Sequence, residues 1–128
     1  MNSCRLNRLL RTRFSPLLCC GLSGLLFAAG CKSLPPGKPL ASLTPEEARG
    51  RAVFVAACAR CHNAYDTQAL HGPSLYGVYR KPYLPSGAPA RDNRVTVVIL
   101  RGRGMMPAAG HDLTEQELQE LLRYLHTL

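Results

Sequence analysis

Cys58-Ala59-Arg60-Cys61-His62 places two thiols three residues apart, with an imidazole directly after the second. On about one helical turn, both thiols can add across the two vinyl groups of a haem and form thioethers. The adjoining histidine is then held under the iron as its proximal ligand. Three other uses of such a motif are possible. A thioredoxin-like redox pair opens a helix after a strand, whereas a helix-like run precedes this motif. A zinc site needs a second C-x-x-C or a paired H-x-x-x-H, and neither follows. The third is chance. The residues predict one covalently attached haem c on Cys58 and Cys61, with His62 on the iron.

No other set of residues competes as a reaction centre. There is no Ser/His/Asp arrangement, phosphate-cradling glycine loop or carboxylate pair, so the chain reads as a non-enzyme. His71, His111 and His126 stand singly. The 128 residues allow one small domain, and the formal charge of +8 would suit a nucleic-acid binder. The distribution of that charge removes the suggestion. Arg5, Arg8, Arg11 and Arg13 all precede residue 31 and no acid does, so a chain starting at Cys31 carries only +4. No nucleic-acid partner is expected.

Residues 1–30 read as an export signal, with a basic start, an apolar run from Leu17 to Ala29, and small residues before a cut. The apolar run is too short to span a bilayer permanently. Leu26-Phe27-Ala28-Ala29-Gly30-Cys31 resembles a bacterial lipobox, which implies a lipidated Cys31 as the mature N-terminus. The pattern prefers leucine where this chain has Ala28, which leaves ordinary signal cleavage or an uncleaved anchor as the other readings. The cysteines then divide without remainder. Cys4, Cys19 and Cys20 leave with the signal, Cys31 takes lipid, and Cys58 and Cys61 take haem. Residues 31–43, with Pro35, Pro36 and Pro39, read as an extended tether that lifts the domain off a membrane.

The elements that must position the motif lie in residues 44–128. Thr44-Pro45-Glu46-Glu47 is a capping box with proline at the first helical position, and predicts a helix over about 45–60. Thr114 to Glu117 is a second capping box. Leu118, Leu121, Leu122 and Leu125 follow it as one apolar stripe. Arg80–Arg94 reads as a surface loop. Val95-Thr96-Val97-Val98-Ile99 favours a strand by propensity, yet no second strand is there to pair with it. It is expected as a short helix capped by Asp92 or Asn93, with Val95, Val98 and Ile99 buried.

Taken in order, these pieces resemble a monohaem class I cytochrome c domain nearly end to end over residues 44–128. The matching residues are Gly50 and Phe54, Cys58 to His62, Gly72-Pro73-Ser74-Leu75, Gly104-Met105-Met106-Pro107, and Leu121 with Tyr124-Leu125. The resemblance implies an all-α fold of about four short helices wrapped around the haem. In it, Gly50 lets the first and last helices approach where Phe54, Leu121 and Tyr124 pack. It also implies that the Pro73 carbonyl orients the His62 ring and that Met106, not Met105, is the sixth iron ligand.

Arg80, Lys81, Arg91, Arg94, Arg101 and Arg103 form a loose basic set. It reads as a solvated face, or as a source of propionate contacts (Arg94 foremost) and of attraction for an acidic redox partner. With both axial positions filled, the expected task is one-electron transfer between a redox donor and acceptor in the bacterial envelope. The protein would face the periplasm, held through lipid on Cys31. Lys32, in place of an inner-membrane retention aspartate, tilts the choice toward the outer membrane. Two further readings stand beside this one. The first is a haem sensor or peroxidase-like enzyme with an open or labile distal site. The second is a fixed electron wire within a larger membrane oxidoreductase.

Overall fold

A computed structural model describes Leu34 and residues 36–128; the signal-like segment and Cys31 lie outside them. The described residues belong to one compact unit. It is built from three α-helices: α1 (Pro45–Ala57), α2 (Asp92–Arg101) and α3 (Glu115–Leu125). Single 3-10 turns at Leu40–Ser42 and Val78–Arg80 complete the regular structure. The described residues contain no strand, only isolated bridges between Tyr83 and Pro89 and between Arg103 and Met106. The all-α expectation holds.

Both capping boxes form. The Thr44 hydroxyl accepts from the Glu47 N–H while the Glu47 carboxylate accepts from the Thr44 N–H, and Thr114 and Glu117 do the same for α3. Each box satisfies two backbone donors that the first helical turn would otherwise leave without partners. These bonds also set the acidities. Glu47 is held below its ordinary value first by the Lys38 ammonium and then by the Thr44 N–H. Glu117 is lowered by the Thr114 N–H and hydroxyl. A carboxylate whose pKa falls on folding adds stability above its unfolded value, and that stability is lost as pH drops through the lowered folded value.

α1 is not amphipathic in the ordinary sense. Of its thirteen residues only Gly50 and Phe54 are buried. The helix is held along this narrow seam against α3, where Leu118, Glu120, Leu121, Leu122, Tyr124 and Leu125 are buried. Gly50 is the point of closest approach. A Cβ there would fall on the Glu120 carbonyl, with the Leu121 nitrogen at 3.0 Å. One turn further on, the Phe54 and Tyr124 rings meet in a tilted pair with centroids 5.5 Å apart, a favourable aromatic geometry. The Tyr124 hydroxyl exchanges a hydrogen bond with that of Tyr65 at 2.6 Å. Burial, with this hydrogen bond second, raises the Tyr124 pKa above its ordinary value. Arg49 closes the crossing with a 2.7 Å ion pair to Glu120, whose side chain is largely buried. Gln116 and then Arg49 hold that carboxyl below its ordinary value.

The β-branched run forms helix α2. Val95 and Ile99, four residues apart, face inward to the core, and Val98 is half-buried beside them. Asp92 in the first turn and Arg101 in the last complement the helix dipole. The start differs from the expected cap. Arg91 occupies the N-cap position without a side-chain bond, and Asp92 is already helical. Asp92 is engaged elsewhere, with Oδ1 2.8 Å from His126 Nε2. Burial raises its pKa, and the hydrogen bonds from Tyr79 and His126 outweigh that and hold the carboxyl below its ordinary value.

Candidate functional site

Helix α1 stops at Ala57, earlier than the expected residue 60, and the early stop shapes the site. Cys58 is the C-cap, its N–H bonding to the Phe54 carbonyl at 2.8 Å. The Cys61 and His62 N–H groups both turn back to the Cys58 carbonyl at 3.0 Å. This tight turn puts the two thiols and the imidazole on one short stretch of chain. Both cysteines are free and half-buried.

Burial, with the neighbouring Cys61 second, pushes the Cys58 thiol above its ordinary value. A thiol-redox pair requires the opposite, a first cysteine at a helix N-terminus with its thiolate stabilised. Here Cys58 sits at a helix C-terminus, where the dipole disfavours an anion. No group of three or more His, Cys, Asp or Glu able to hold a metal occurs among the described residues. Both the thioredoxin-like and the zinc readings therefore lose their footing.

His62 is fixed by a loop that runs over it. Its Nδ1 lies 2.8 Å from the Pro73 carbonyl. A carbonyl can only accept, so Nδ1 carries the proton and the Nε2 lone pair is left for a metal. The loop is pinned by Gly72 N–H to Cys61 O at 2.8 Å and by Leu75 N–H to Asn63 O at 2.8 Å. Gly72 has a role that sequence reasoning missed. A Cβ there would lie 2.5 Å from His62 Cε1, so the residue must lack a side chain for the ring to fit. Its place directly before the proline was the available signal.

The two methionines are sorted by a tight turn. Arg103 and Met106 bond to each other through both main-chain pairs at 3.0 Å, with Gly104 and Met105 at the tip. Gly104 has φ 58° and Gly102 φ 70°, the left-handed conformations that such a tip and its entry require. Met105 is 93% exposed, whereas Met106 is half-buried and packs against the core. Cys58, Ala59 and Leu75 pack against that same core. Met106 is therefore the inward-facing thioether.

Other residues fall elsewhere. Arg94 stands exposed on the first turn of α2, and its side chain makes no hydrogen bond or ion pair among the described residues. Arg80, expected in an open basic set, instead binds the Leu128 main-chain oxygen and lies over the Tyr76 ring. Arg60, Lys81, Arg91, Arg101 and Arg103 are exposed. His71 and His111 are exposed loop residues, and His126 stacks on Tyr79 at 3.7 Å. One surface depression among the described residues is lined by Thr44, Glu46, Arg49, Arg123 and His126, mostly groups that cap or bridge helices. It contains none of the residues discussed as ligands.

The donor set fits haem c. Two free thiols three residues apart, an imidazole with Nδ1 already committed, and an inward thioether are the groups that such a cofactor requires. A family model described as cytochrome C oxidase, cbb3-type, subunit III matches residues 45–125. No curated protein matches the chain.

Proposed function

The chain belongs to the family of that description, a monohaem cytochrome c domain carrying covalently bound haem c, and from this we propose that it is a membrane-anchored carrier of single electrons. Haem c supplies one iron that cycles between ferrous and ferric states. The chain's residues do the rest. Cys58 and Cys61 would hold the cofactor through thioethers, and His62 would bind its iron. The Pro73 carbonyl holds the His62 ring by accepting from Nδ1–H, which sets the tautomer and strengthens the nitrogen that faces the metal. Met106, on the core side of the Arg103–Met106 turn, would be the second side chain on the iron, and thioether ligation would favour the ferrous state.

With His62 and Met106 both on the iron, the chain itself would fill the coordination that the cofactor leaves open. No place is left for substrate or oxygen, and ligands held by packed main chain move little between oxidation states. The single observation that carries the reading is the opposite placement of neighbouring methionines, Met105 outward and Met106 inward. The exposed cations at Lys81, Arg91, Arg94, Arg101 and Arg103 favour an acidic face on the donor or acceptor. Arg94 serves a haem propionate. Lipid on Cys31 holds the domain to a membrane of the bacterial envelope, facing the periplasm. No helix of the described residues is long and apolar enough to cross a membrane.

A second reading draws on the family's description, which names an oxidase subunit. In that case the domain is a fixed electron wire in a larger membrane complex and not a mobile shuttle. The experiment that tests electron carriage is a redox titration of the holoprotein followed by absorption. A single reversible one-electron wave, with no turnover of peroxide, is expected. Sustained peroxide consumption would move the assignment to a haem enzyme.

A further inference from the structure

The proline-rich stretch before α1 has no regular structure ahead of its Leu40–Ser42 turn, but its described residues do not stand free. The Lys38 N–H donates to the Thr127 carbonyl at 2.7 Å, and the Lys38 ammonium pairs with Glu47 at 2.6 Å. At Gly37 the chain passes so close that a Cβ would lie 2.9 Å from Thr127 O and 3.3 Å from Leu128 Cα. The Leu34 carbonyl accepts from the Tyr76 hydroxyl at 3.0 Å. A Cβ on Gly77, whose φ of 63° is left-handed, would lie 2.8 Å from Leu34 Cδ1. Arg80 reaches the carbonyls of Pro36 and Leu128, and the Gly77 N–H also bonds to Leu128 O at 3.0 Å. The segment, the end of the last helix and the 76–80 turn are thus knitted together.

We propose that Leu34 and residues 36–40 form a docked strap that holds the domain directly against the membrane, with its Leu34–Tyr76–Arg80 end toward the lipid. The proposal rests on the reading of Cys31 as the lipidated residue. Three residue steps separate Cys31 from Leu34, a span of about 11 Å at full extension. An undocked chain from Cys31 to Thr44 would reach about 45 Å. The strap therefore removes roughly three quarters of the leash. Partners of a domain held this way are themselves in the membrane or lying on it, and the lipid surface is one wall of the docking geometry.

The strap can be lengthened or unlatched. Inserting a flexible Gly/Ser segment of about 12 residues between Ser33 and Leu34 adds about 20 Å of root-mean-square reach and leaves the docked contacts alone. Gly37→Val, by contrast, drives a side chain into the Thr127 and Leu128 main chain. Lipidated holoprotein would be placed on supported phosphatidylethanolamine/phosphatidylglycerol bilayers and its layer profile measured by neutron reflectometry. Hydrogen exchange at the Lys38 amide would be followed in parallel.

The wild-type layer is expected to adjoin the headgroups, with the Lys38 amide protected. The insertion variant is expected to stand off with Lys38 still protected, and Gly37→Val to stand off with protection lost. A wild-type layer separated from the headgroups by more than about 11 Å, or a Lys38 amide exchanging as freely as an unstructured peptide, would overturn the proposal. A mature mass lacking the lipid would overturn the membrane placement together with the anchor reading. The Lys38 exchange rate would still decide whether the strap is docked.

Discussion

Cys58→Ala combined with Cys61→Ala is expected to abolish covalent haem attachment completely. Denatured protein should then retain no haem stain. Either single replacement should keep one thioether and remain stained, because the two thiols bond to different vinyl groups. The loss reaches the fold as well. Outside the helix seam, Cys58, Ala59, Leu75 and Met106 are only partly buried where they pack on the core, and under the proposed ligation these are the surfaces that the cofactor would cover. A domain of fewer than 100 residues buries little more than 60% of its unfolded surface, so it depends on a bound group for part of its core. The double variant is therefore expected to lose its cooperative thermal transition, measured by circular dichroism. A double variant that kept haem after denaturation would remove Cys58 and Cys61 from the attachment.

The second large effect is at Gly50, where one methyl group is set against main chain. Gly50→Ala places its Cβ on the Glu120 carbonyl and beside the Leu121 nitrogen. Rotation of a side chain cannot relieve this, so α1 must lift from α3. Separation weakens the Phe54–Tyr124 contact and the Arg49–Glu120 pair together. Overpacking of this kind costs about 3 kcal/mol or more, and in a domain of this size that lowers the thermal midpoint by about 12–24 °C. Gly104→Ala is the matched control. Nothing lies within 4 Å of its added Cβ, and only its φ of 58° is unfavourable, a cost of about 1–2 kcal/mol. Equal midpoints for the two variants would contradict the close-approach role of Gly50.

The parts of this structure that were legible in the sequence share a physical property: their signals are local. The Thr44 and Thr114 capping boxes operate over three residues, and both form. The haem motif operates over five. The run Val95–Ile99 was legible only by setting propensity against topology. Five β-branched residues favour a strand, but a strand without a partner leaves its backbone groups unpaired, and burial of Val95 and Ile99 decides for helix.

Contacts between distant residues left no such signal. Arg49 and Glu120 are 71 positions apart, and nothing local in the sequence pairs them. Three prolines read as an extended tether, and nothing local reveals that Gly37 lies against Thr127 and Leu128. Asp92 read as a helix cap because aspartate is suited to that role. In the structure its carboxylate faces His126, and Arg91 takes the cap position without a side-chain bond. The same limit applies at the site. Pro73 as the His62 acceptor and Met106 over Met105 are implied by resemblance alone, and the folded chain has a 2.8 Å contact for one and inward packing for the other.

The most direct measurement is the absorption spectrum of the oxidised and reduced holoprotein, with and without carbon monoxide, for wild type and Met106→Ala. An electron carrier with both axial positions filled by His62 and Met106 predicts a far-red methionine–iron band in the oxidised wild type. It also predicts no response of the reduced wild type to carbon monoxide. Met106→Ala should lose the band and bind carbon monoxide, while Met105→Ala, altering a side chain that faces solvent, should match wild type. A wild-type protein that binds carbon monoxide at once would contradict the account, because its distal position would be open to ligands.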